Sequence, residues 1–121
     1  MSAALFRVSA LHHQNHTVSA VLRIDADSDI LKGHFPGHPV VPGASMLQIV
    51  KEVLEDALQT PLRLKKADRL KFMSLVEPSR AEEVQLEIGY RMQHDGGIHV
   101  SGKLSAGETA CFKFQGTFVK L

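Results

Sequence analysis

One stretch limits the folds open to this 121-residue chain more than any other. From Ala44 to Leu58, "ASMLQIVKEVLEDAL" contains neither Gly nor Pro, and Met46, Leu47, Val50, Val53, Leu54, Ala57 and Leu58 recur at helical spacing. Elsewhere the hydrophobic period is close to two. Between Thr17 and Asp25 the residues Val18, Ala20, Leu22 and Ile24 alternate with mostly polar ones, and a weaker strand precedes them around Leu5 to Leu11. Period two returns from Leu62 onward, where Val84, Leu86, Ile88, Tyr90 and Met92 alternate strictly with polar residues or Gly. "DGG" at 95–97 and "SAGE" at 105–108 are hairpin signals that link a strand ending near Met92 to one at 98–104 and then to one at 109–120.

A lone helix among about six antiparallel strands buries its apolar stripe only by lying on the concave face of the sheet. The expected class is therefore α+β in the hot-dog arrangement, one long central helix wrapped by an antiparallel sheet, with residues 1–121 forming a single domain. Lys51, Glu52, Glu55 and Asp56 make the second half of the helix polar, so its N-terminal half is expected to be the more deeply covered, and Gln48 stands out within that half. The sheet leaves an edge strand open, and pairing two such edges removes the exposed ladder, so a homodimer is expected.

Composition narrows the function classes. Fourteen Lys and Arg against 13 acidic residues give a net charge of +1, which argues against a nucleic-acid binder relying on a broad basic surface. Cys111 is the single cysteine, so no internal disulfide forms and no Cys pair holds zinc. No signal-peptide core and no run of 18 apolar residues occurs. The expectation is a soluble, cytoplasmic protein that binds neither membrane nor nucleic acid and needs no cofactor. "HHQNH" at 12–16 looks like a metal cluster, but its histidines alternate in direction along a strand and no carboxylate or Cys lies beside them in sequence. Cys111 alternates with Ala110, Phe112 and Phe114, which points it away from their face.

Before the helix, "GHFPGHPVVPG" at 33–43 packs three glycines, three prolines and two histidines into one loop. Pro36, Pro39 and Pro42 fix their own φ and bias the residues before them toward extended backbone, which makes the loop stiff. On these residues alone two readings stand: His34 and His38 are ordinary loop residues in a rigid turn, or a rigid backbone holds an imidazole as a base near working pH. In the second reading the helix that follows Gly43 offers first-turn N–H groups to a carbonyl oxygen beside that base.

Residues 34–43, "HFPGHPVVPG", closely resemble the loop that leads into the central helix of 3-hydroxyacyl-[acyl-carrier-protein] dehydratases, His-Phe-Pro-Gly-x-Pro-x-x-Pro-Gly. "KFMSLVEP" at 71–78 is similar to that family's Arg/Lys-Phe segment. The resemblance implies β-elimination of water from a 3-hydroxyacyl thioester carried on an acyl carrier protein, in fatty-acid or polyene/polyketide-like biosynthesis. His34 would take the α-proton, the Gly43 N–H would bind the thioester carbonyl, and Phe35, Pro36, Gly37, Val41 and Pro42 would line the substrate. His38 would remain a loop residue.

The family carries Glu or Asp fourteen residues after that histidine, contributed by the partner subunit, and Gln four residues further on; here the order is Gln48 and then Glu52. An amide forms hydrogen bonds but does not deliver a proton as a carboxylic acid does. Three outcomes are open: His34 carries both proton transfers while Gln48 orients the hydroxyl; Glu52 supplies the acid; or the subunit is catalytically impaired, retains acyl-chain and carrier binding, and pairs with a second hot-dog subunit that brings the carboxylate. An acyl thioesterase is the competing enzyme class, against which the intact loop argues. Arg63, Lys65, Arg69 and Lys71 fall on alternate positions of one strand and would present a cationic stripe to an acidic carrier protein, the alternative being a solvated strand face.

Overall fold

The computed structural model describes residues 5–32, 41–78 and 80–121. Its elements follow in the order β1 (Phe6–Gln14), β2 (Thr17–Ile24), a short α1 (Asp29–Lys32), α2 (Gly43–Leu58), β3 (Leu62–Phe72), β4 (Glu83–Met92), β5 (Ile98–Ala106) and β6 (Thr109–Lys120). The strands form one antiparallel sheet in the order β1-β2-β4-β5-β6-β3, with β1 and β3 at its edges.

Alternation decides what faces inward. Val18, Ala20 and Leu22 on β2, Val84, Leu86 and Ile88 on β4, Ile98, Val100 and Leu104 on β5, and Phe112, Phe114 and Phe118 on β6 are all buried. Against this face α2 buries Met46, Ile49, Val50, Val53 and Leu54, and full burial of each such side chain is worth about 1.5–3 kcal/mol. Ile49 completes a stripe that the expected helical set omits. Three of the five buried residues, Met46, Ile49 and Val50, lie in the first half of the helix, while the last turn contributes only the partly buried Ala57 and Leu58.

The C-terminal end of α2 is closed and fastened to the strand that follows. Gln59 adopts the left-handed conformation (φ 55°) and its N–H closes the helix on the Glu55 carbonyl. The Glu55 carboxylate, paired with Lys51 at 3.6 Å, accepts the Leu62 N–H at 2.7 Å and so ties the last helical turn to the first residue of β3.

Two strand pairings are offset by bulges that alternation alone does not reveal. On β6, Ser105 pairs with Ala110 but Leu104 pairs with Phe112, which leaves Cys111 as the extra residue. Cys111 therefore does not turn outward as its position in the alternation suggested: it is buried, its thiol donates to the Thr109 carbonyl, and its own carbonyl accepts the Met73 and Ser74 N–H groups. On β3 the register shifts between Leu64 and Lys66 and again between Ala67 and Arg69.

The second bulged region requires Gly116. A Cβ there would lie 2.5 Å from the Lys66 carbonyl oxygen and 2.5 Å from the Phe114 ring. Gly89, on the opposite face of β4, has nothing within 4 Å of the same position. Gly116→Ala should lower unfolding free energy by about 1–3 kcal/mol in urea titration, whereas Gly89→Ala should cause no loss; equal effects would contradict this packing.

Candidate functional site at the start of the helix

His34, Phe35, Pro36 and Gly37 lie outside the described residues, as does His38. What the structure defines is the frame on either side. Leu31 is buried before the loop, where Ser28 Oγ accepts the Ile30 N–H at 3.3 Å. After the loop, Val41 is buried and donates its N–H to the Val76 carbonyl at 2.9 Å. The exit of the Gly/Pro loop is thus bonded to the "KFMSLVEP" segment, and the two stretches singled out in the sequence meet.

Pro42 is the N-cap of α2, in extended conformation (φ −64°, ψ 145°), and its carbonyl accepts the Ser45 and Met46 N–H groups. No side chain caps this end and no acidic residue stands in the first turn. The positive end of the helix is therefore not neutralised from within the helix, and the Gly43 and Ala44 N–H groups precede its first internal bond. Gly43 lies against Phe72: a Cβ at this glycine would be 2.8 Å from two atoms of the Phe72 ring. That ring stacks on buried Phe112 at 4.9 Å while remaining 54% exposed. In the sequence the signal for Phe72 is the match of "KF" at 71–72 to the family's Arg/Lys-Phe segment, which does not by itself mark the ring as part of a site.

Gln48 and Glu52 lie on the strip of α2 turned away from the sheet, together with Glu55, Asp56 and Gln59 along a groove of about 580 Å³. Gln48 is exposed, and its Nε2 donates to Glu52 Oε2 at 3.0 Å. The one-turn offset between the two positions is bridged by the side chains, which places a carboxylate one hydrogen bond from the amide. An amide carries two N–H donors and one acceptor oxygen, so after this bond Gln48 keeps one donor and Oε1 for another hydroxyl.

The cationic stripe is rearranged by the β3 bulges. Residues directly opposite across a strand pair share a face. Arg63, Arg69 and Lys71 pair with Val119, Gln115 and Lys113 on the outer face, but Lys66, opposite Thr117, takes the place expected for Lys65, which is the bulged residue. Lys66 is paired with Asp68 at 3.3 Å. Among the described residues, no group of three or more His, Cys, Asp or Glu is placed to hold a metal ion. In the "HHQNH" stretch His13 Nε2 instead meets the Tyr90 hydroxyl at 2.7 Å, and the His16 ring packs edge-on to Tyr90.

A family model described as ApeI dehydratase, of the ApeI-like type, matches residues 10–110. The chain belongs to the ApeI-like dehydratase family. Among curated relatives, the 3-hydroxyacyl-[acyl-carrier-protein] dehydratase FabZ of Campylobacter curvus is 29% identical over 107 residues, covering 78% of this chain and 70% of that protein. The FabZ of Natranaerobius thermophilus is 26% identical over 102 residues, covering 75% and 72%. Among solved structures, the dehydratase heterocomplex ApeI:P from Xenorhabdus doucetiae superposes with a TM-score of 0.71 at 16% identity over 94% of this chain and 97% of that one. That likeness establishes the hot-dog fold for this ApeI-like chain. No helix among the described residues is long and apolar enough to cross a membrane.

The Gly43–Phe72 contact has a direct test. Because the ring is half out of the core, Gly43→Ala should leave the urea midpoint close to that of the parent protein. It should, however, displace Phe72 from Phe112, seen as altered ring resonances of both in NMR spectra; unchanged Phe72 resonances would contradict the contact.

Proposed function

We propose that this ApeI-like dehydratase removes water from a 3-hydroxyacyl thioester carried on an acyl carrier protein and yields the trans-2-enoyl thioester. The observation that carries the reading is the Gln48–Glu52 pair on the exposed strip of α2, on a helix whose uncapped start directly follows the intact "HFPGHPVVPG". His34 takes the α-proton. The Gly43 N–H, at the positive end of α2, holds the thioester oxygen as it gains charge. Phe35, Pro36, Gly37, Val41 and Pro42 line the acyl group. The C3–O bond then breaks, and the departing hydroxide takes a proton from the His34 imidazolium and leaves as water. Gln48 orients the hydroxyl through Oε1 or its second N–H, and Glu52 fixes the amide that does so.

The exposure of Gln48 supports a site completed by a second chain, and a homodimer joined along β3 fits the exposed Leu70 and Phe72 on that edge. Arg69 and Lys71, with Arg63 and Lys65 further along the strand, guide the acidic carrier. The reaction belongs to fatty-acid or polyene/polyketide-like biosynthesis in the cytoplasm.

A second reading is favoured by Gln48 itself and by the heterocomplex among the solved relatives. Here the chain is a catalytically impaired, acyl-binding subunit, and a different hot-dog subunit supplies the carboxylate.

Incubating the purified protein with a 3-hydroxyacyl carrier-protein thioester separates the readings. Enoyl product should form slowly, His34→Ala should abolish it, and Glu52→Gln should reduce it. Gln48→Glu should raise the rate by about 10²- to 10⁴-fold, since it restores a carboxyl at the position where the amide only orients the hydroxyl. No product with or without Gln48→Glu would overturn the catalytic reading in favour of the second one, and release of free thiol without enoyl would point to a thioesterase. Charge reversal at Arg69 and Lys71 should raise the KM for the carrier-linked substrate.

A further inference from the structure

In the first two turns of α2 two side chains interrupt the apolar run, Ser45 and Gln48, and only Gln48 has a part in the reaction so far. Ser45 is half-buried. A serine inside a helix ordinarily turns its hydroxyl back onto a carbonyl three or four residues earlier. Ser45 does not. The Pro42 carbonyl takes the Ser45 and Met46 N–H groups, and the Ser45 hydroxyl makes no hydrogen bond to any described residue. Among the described residues no side-chain nitrogen or oxygen is both buried and without a partner, so this oxygen is open to whatever occupies the surface of the helix.

Its place on the helix is specific. Ser45, Gln48 and Glu52 stand at i, i+3 and i+7, which sets them on one face. Helical side chains lean toward the N-terminus, so the hydroxyl tilts toward the unbonded Gly43 and Ala44 N–H groups. At about 1.5 Å of rise per residue, Ser45 lies about 3 Å along the axis from Gly43 and Gln48 about 7.5 Å. For a thioester whose carbonyl is held at the Gly43 N–H, Ser45 is the nearer polar side chain on that helix.

We propose that the Ser45 hydroxyl is a second hydrogen-bond donor to the departing C3 oxygen, working with the Gln48 amide where no carboxylic acid stands at residue 48. The inference rests on the dehydratase reading. As the α-proton leaves C2 and the C2–C3 double bond forms, the electron pair of the C3–O bond passes to oxygen. The Ser45 O–H stabilises that charge and keeps its own proton, and the proton that completes the water comes from the His34 imidazolium. Two neutral donors thus do part of the work of one acid. They also select the substrate, because a saturated acyl chain has no oxygen at C3 to meet them.

Two measurements test this, the first without turnover. The full chain is titrated with 3-hydroxyacyl and 3-deoxyacyl pantetheine analogues in which an amide replaces the thioester and resists elimination. The parent protein should bind the 3-hydroxy compound at least about threefold more tightly; Ser45→Ala should abolish the preference and Ser45→Thr, which keeps a hydroxyl, should retain it. With the carrier-linked thioester, Ser45→Ala should lower kcat about tenfold and change KM less than about twofold. Beside Gln48→Glu the same change should cost less than about threefold, because a carboxyl then supplies the proton. The urea midpoint should not move on Ser45→Ala, since the hydroxyl bonds nothing in the chain. No preference in the parent, or a preference that survives Ser45→Ala, would overturn the proposal whether or not enoyl product forms, and an equal kcat cost in both backgrounds would overturn the pairing with Gln48. Loss of the preference in Ser45→Ala with no product from any variant would keep Ser45 as the contact to the C3 oxygen and remove the catalysis instead.

Discussion

Every placement in this protein depends on α2 having one surface on which to bury its apolar stripe. Met46, Ile49, Val50, Val53 and Leu54 need a continuous apolar face, and the alternating residues of four strands provide it. Once that face is chosen, the rest of the helix has no freedom of rotation. Gln48, Glu52 and Asp56 must lie on the side away from the sheet, and Gly43 must arrive where the exit of the Gly/Pro loop is bonded to the segment after β3. A rotation of the helix that buried Gln48 would place an amide among Leu, Val and Phe side chains, at a desolvation cost of roughly 1–3 kcal/mol if it found no partner there.

The same constraint explains how an amide in the place of a carboxylate is accommodated. On the outer strip the side chain is exposed to water, so an amide in place of a carboxylate costs the fold little. The residue one turn later carries the charge instead, and the 3.0 Å bond from Gln48 to Glu52 keeps amide and carboxylate together as one polar unit. Folding therefore places few demands on this pair.

Much of this was legible in the sequence, for reasons tied to periodicity. Strict alternation in Val84–Met92 and the helical run from Ala44 to Leu58 predicted β4 and α2 within a residue or so at each end, because in both cases burial on one face matches the local period. Ile49 was passed over although it lies on the buried stripe. The order of elements along the chain and the family of the loop were also readable, the latter from "HFPGHPVVPG". What spacing could not reveal was set by the bulges. At the "SAGE" turn a regular hairpin would pair Lys103 with Phe112; only the extra residue at Cys111 moves Lys103 onto Lys113 and turns both phenylalanines inward. Likewise the exchange of Lys65 for Lys66 on the outer face follows from two register shifts in β3 that leave no mark in its composition. The Gly43–Phe72 contact joins residues far apart in sequence, and nothing in the local pattern of either records it.

The hydrogen bond from Val41 to Val76 links the ends of two segments that carry the family signature. Its consequence is mechanical: the residue that leads into α2 and the stretch that follows β3 do not shift independently, so a displacement of one is felt by the other.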